Sequence, residues 1–91
     1  MNLWKQIEVY ILTFGVEWLQ GNAQQIEADL APYISGGEAA IVAAVGKFSP
    51  AFGALLQAAL DSLGAELPKY EGDAVAWLIA LGQAYIKKLK G

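Results

Sequence analysis

Apolar residues recur at intervals of three and four along nearly the whole chain, and the strict alternation of a half-buried strand is missing. That pattern commits the chain to helices packed on helices. In the first segment, Leu3, Trp4, Ile7, Tyr10, Ile11, Phe14 and Trp18 fall on one arc of roughly 120° on a helical projection. Val9, Leu12, Val16 and Leu19 form a second apolar strip, leaving Gln6, Thr13, Glu17 and Gln20 as the only continuous polar ridge. A helix apolar on two sides needs two neighbours.

Breakers and caps divide the chain further. Gly21 closes the first helix, and Asn22 with Gln25 three residues on marks the next start. Pro32 disfavours helical geometry at Ala31, so the second helix ends or kinks near there. Ser35-Gly-Gly-Glu38 matches a capping box opening a third helix, and Ser49-Pro50 reads as an N-cap followed by proline at the first helical position. Phe52, Leu55, Leu56, Ala59, Leu60 and Leu63 line one face of the fourth helix, which Gly64 stops. The connection 65–72 holds Pro68 and Gly72, and Asp73 caps a last helix whose end carries Lys87, Lys88 and Lys90. Alanines spaced by four, above all Ala76, Ala80 and Ala84, suit close helix approach. The expected fold is all-α: a compact bundle of four to five short helices, about 3–20, 23–34, 38–48, 50–64 and 74–90, in a single domain over residues 1–91.

Composition bears on what such a bundle does. Apolar residues are 56% of the chain, and with ten glycines they reach about two thirds. Charged residues are 16%, against about 25% in an ordinary soluble domain, which excludes disorder. So small a chain cannot hide all of that surface, although its 16 alanines inflate the tally. A burial partner is therefore expected: copies of itself, a larger assembly, or lipid. The net charge of −3 argues against nucleic acid, whose phosphates need a basic face.

No arrangement of residues in the sequence supports catalysis. With neither cysteine nor histidine there is no thiolate, no zinc–sulfur site and no imidazole base. The three serines sit at helix boundaries, and Glu27 and Asp29, two apart, point in different directions. Glu66, Glu71 and Asp73 lack the ligand spacing of a calcium loop. No catalytic, cofactor or metal-binding residue is assigned.

The membrane alternative rests on Ala39–Leu60, long enough to span but interrupted by Lys47 and Pro50. No secretory signal is expected, since Glu8 and Glu17 interrupt the apolar run between them. The chain's size, its alanine-rich helices, the tryptophans of the first helix and the end Ile86-Lys-Lys-Leu-Lys-Gly91 resemble small phage-encoded helical proteins. That resemblance implies a minor virion component or a holin-like protein. The expected function is a non-enzymatic structural or interaction protein docking into a homo-oligomer or larger particle, in the cytoplasm or a virion. A holin-like or membrane-associated protein is the alternative. Leu12, Val16, Leu19, Trp77 and Leu81, apolar residues on the second sides of their helices, are the expected partner interface. The stripe Trp4, Ile7, Ile11, Phe14 and Trp18 is expected to make the main helix contacts, inside the domain or across an interface.

Overall fold

Asn2 starts the first helix: its side-chain oxygen accepts the Lys5 N–H at 2.8 Å, satisfying one of the amides a helix start leaves free. The computed structural model describes residues 2–64, 70 and 72–91. Among these residues, five α-helices run in chain order: α1 (Leu3–Gly21), α2 (Ala23–Leu30), α3 (Glu38–Phe48), α4 (Pro50–Leu63) and α5 (Ala74–Lys90). The fold is all-α, as the periodicity predicts. The Cα radius of gyration, 12.3 Å, matches the roughly 12 Å of a compact domain of this length.

One boundary and two caps differ from expectation. The second helix is α-helical only to Leu30; around Pro32 it tightens into a 3-10 turn, Ala31–Gly36. α3 itself runs over the expected residues, Glu38–Phe48, but its cap differs. Gly37, at φ +87°, occupies the cap position and no side chain bonds there, so Ser35 is not the N-cap. The left-handed backbone at Gly37 favours glycine and fixes the turn into α3. Ser49 and Pro50 do occupy the cap and first positions of α4, though the Ser49 hydroxyl makes no capping bond. Asn22 does not cap α2 with its side chain; its Nδ2 donates to the Trp18 carbonyl at 3.0 Å, finishing α1 instead. Of the acidic residues in the connection, Glu66 and Glu71 lie outside the described residues, as does Pro68.

The largest helix interface pairs α1 with α5, followed by α3 with α4, and α4 also packs on both α5 and α1. Glycines, rather than the alanine pairs, make the close approaches. A Cβ on Gly53 would overlap the backbone of Gly46 across the α3–α4 corner. One on Gly15 would overlap the ring of buried Phe52, and one on Gly82 would lie 2.7 Å from Val16 Cγ2. Ala76 and Ala80, by contrast, face solvent.

Ala39–Leu60 is not one span but two helices meeting at Ser49. Lys47 is exposed there, its Nζ 3.2 Å from the Tyr33 hydroxyl and 4.8 Å from that ring's centre. Among the described residues, no helix is long and apolar enough to cross a membrane.

Candidate interaction surface

Which apolar strip of α1 faces inward is decided by what can approach closely. Leu12, Gly15, Val16 and Leu19 are buried: a strip that includes a glycine and a valine lets α5 and Phe52 come near. The bulkier strip is left outside. Leu3 is 72% exposed, Trp4 68% and Phe14 53%, with Ile7 and Tyr10 exposed beside them. This corrects the expected interface. Leu12, Val16, Leu19, Trp77 and Leu81 all belong to the interior, none more than 7% exposed. Trp77 and Leu81 are absorbed because α5 is flanked by α1, α2 and α4, so the first half of that helix is covered on more than one side.

The register of α1 on α5 explains why its first turns stand free. Val16 lies against Gly82, and Glu27, shortly beyond the end of α1, binds the first turn of α5. The two helices are therefore antiparallel, and Glu8 falls roughly opposite the last residues of α5. Residues 2–7 run past that end and are exposed throughout.

Further along α1 the outer strip meets the α3–α4 corner and forms an open groove of about 760 Å³. Tyr10, Ile11, Phe14, Gly15 and Trp18 line one wall, and Phe48, Ser49, Ala51 and Phe52 the other. Aromatic contacts hold its shape: Tyr10 and Phe14 meet edge to face at 4.6 Å, and Trp18 and Phe48 are tilted at 6.3 Å. Trp18 and Ile11 are half-buried, whereas Phe48 is exposed. The lining is mostly apolar, with the Ser49 and Tyr10 hydroxyls and the Trp18 indole nitrogen as its polar side-chain groups, so the groove can hold an apolar group.

Two acidic residues elsewhere already have structural work. Glu27 accepts the Ala74 and Val75 amides at 3.2 and 2.9 Å, and Asp73 accepts that of Ala76 at 2.9 Å. Asp73 thus caps α5 as its position predicts; Glu27 as a second cap is invisible to a local reading, because its partner is 48 residues away. Tyr70 packs edge to face on Trp77, with ring centres 6.2 Å apart. Burial first, then the charges of Glu27 and Asp73, raise the Tyr70 hydroxyl above its ordinary pKa. Among the described residues, neither the Tyr70 hydroxyl nor the Trp77 Nε1 has a hydrogen-bond partner. Among the described residues, no three metal-capable side chains come together.

No protein-family profile matches the chain, and no curated protein or solved structure matches it significantly, so its own surface is what bears on function.

Proposed function

We propose that this chain is a non-enzymatic interaction protein that docks through the outer face of α1 onto an apolar protein surface, within a homo-oligomer or a larger particle. The observation that carries the reading is the continuous apolar strip from Leu3 to Phe14, joined at the groove by Phe48. Scattered exposed apolar residues need no explanation, but a contiguous aromatic patch on a small domain marks a contact site. Tryptophan and tyrosine in that patch are the residue types that dominate interface energetics. The chain's net charge of −3 gives it no general attraction to phosphate-rich partners, which favours protein over nucleic acid or anionic lipid. The resemblance to small phage-encoded helical proteins supplies a virion as one setting for such docking.

The test compares complex size in the native setting. The chain should elute within a complex larger than itself, and the pair Ile7→Glu with Phe14→Glu should release it without loss of helicity. Ala76→Glu, on the exposed side of α5, should leave the complex intact. A complex indifferent to the α1 pair defeats the reading. Flotation with phosphatidylglycerol-containing vesicles, abolished by the same pair, would assign the face to lipid instead.

A further inference from the structure

We infer that the occupant of this face is a second copy of the chain, bound antiparallel about a two-fold axis crossing α1, with each copy's Trp4 in the other's groove. The inference rests on the interaction reading above and names its partner.

The first argument is shape. One helix carries both a projection and a recess: Trp4 stands on the free turns, and Phe14 and Gly15 line the groove about three helical turns later. Residues 4, 7, 11 and 14 are spaced by three, four and three, the repeat by which two helices interlock. Antiparallel pairing centred on Val9 sets Trp4 against Phe14 and Ile7 against Ile11. The two-fold axis then repeats both layers. Such a contact is self-complementary and closes at two copies, so it uses projection and recess on both molecules. In such a dimer each groove is filled by a side chain from the other copy.

Area is the second argument. At about 150–250 Å² per aromatic side chain, the exposed parts of Leu3, Trp4, Ile7, Tyr10, Phe14 and Phe48 amount to roughly 700 Å². A stable interface of standard size takes about 800 Å² from each partner. The patch alone supplies most of that.

Charge is the third. Lys5, Glu8 and Glu17 are the only charged residues on α1. Antiparallel pairing brings Glu17 of each copy toward the opposite copy's first turns, where the positive end of the helix dipole lies. A parallel pair would instead set like dipole ends together.

The purified full chain tests this by sedimentation equilibrium and by cross-linking. The expected result is a monomer–dimer equilibrium whose dissociation constant rises roughly 30-fold or more in Trp4→Ala. Phe14→Ala should act in the same direction, both variants keeping the helicity of the parent. The chain has no cysteine, so single-cysteine variants report geometry directly. Under oxidation Tyr10→Cys, near the axis, should link two copies. Lys5→Cys should not, because equivalent positions lie about 12 Å apart along the helix, beyond disulfide reach. A dimer unaffected by Trp4→Ala and Phe14→Ala overturns the inference, and so does Lys5→Cys linking in preference to Tyr10→Cys. A purified chain that stays monomeric at millimolar concentration overturns it too. In that last case the broader reading is still judged separately, by whether the α1 pair changes complex size in the native setting.

Discussion

Glu27 on α2 accepts the backbone N–H of Val75 at 2.9 Å, so a side chain from another helix closes the first turn of α5. Its other oxygen takes Ala74, the Asp73 carboxylate takes Ala76, and the Asp73 carbonyl takes Trp77 at 3.0 Å. All four amides at the start of α5 are thereby satisfied, with two carboxylates at the positive end of its dipole.

Removing these caps should cost stability in proportion to the bonds lost. In urea denaturation, Glu27→Ala is expected to lose about 1–3 kcal/mol and Asp73→Ala about 0.5–2 kcal/mol. Ser35→Ala, exposed in the 3-10 turn, should change stability by no more than about 0.5 kcal/mol. A large loss at Ser35 together with none at Glu27 would contradict these assignments.

Glycine substitutions should separate by what a new methyl group meets. Gly53→Ala presses on the Gly46 backbone, which cannot move aside as a flexible side chain would. A loss of about 3 kcal/mol or more is expected there. Nothing stands within 4 Å of a Cβ on Gly21, at the exposed end of α1. Gly21→Ala should stabilise by about 0.4–1 kcal/mol, since alanine restricts the unfolded chain and favours helix. Thermal melts of the two variants should move in opposite directions.

The two strips of α1 and the inner side of α5 should respond differently to charge. Leu81→Glu places a carboxylate in a fully buried position without a partner and should unfold the isolated chain. Leu12→Ala should cost about 2–5 kcal/mol. Ile7→Glu, on the exposed strip, should leave the circular dichroism spectrum and the urea midpoint of the monomer nearly unchanged. Equal destabilisation by Ile7→Glu and Leu81→Glu would mean that the strips are wrongly assigned.

Tyr70 gives an alkaline signature. Its hydroxyl binds its proton more tightly folded than unfolded, so its contribution is intact below the ordinary tyrosine pKa of about 10. As the pH rises above that value the unfolded chain loses the proton first, and folding stability falls until the raised folded pKa is passed. Tyr70→Phe should remove this part of the alkaline decline. At neutral pH the same substitution should be neutral or slightly stabilising, because the hydroxyl has no hydrogen-bond partner to lose among the described residues. A steep alkaline loss unchanged by Tyr70→Phe would place its cause elsewhere.

Helix positions were legible because apolar spacing and breakers act within a few residues: Gly21, Pro50 and Asp73 sit at or beside element ends. The choice between the strips of α1 was not legible in that way. Both are apolar, and the decision turns on Gly15 and Gly82 letting Phe52 and Val16 come close, contacts made across the fold. Local hydrophobicity ranks Trp4 and Phe14 above Val16 as core residues; packing reverses the order. The Ser35 capping box failed for a local reason, since the turn begun at Pro32 carries through Gly36 and leaves Gly37 to start α3. The groove emerges only once the α3–α4 corner is set beside α1, so no run of sequence announces it.

The Gly46–Gly53 approach also bears on the order in which the chain assembles. The two glycines are separated by a corner whose only non-helical residue is Ser49, so bringing α3 onto α4 closes a very short loop at little entropic cost. Docking α1 on α5 must instead close most of the chain. The α3–α4 hairpin is accordingly the earliest tertiary unit on the expected folding route. Its two backbones meet without intervening side chains, and sliding either helix by one residue would bring a residue with a side chain, Val45, Lys47, Phe52 or Ala54, to the contact. That near-contact acts as a register lock, set before the remaining helices arrive.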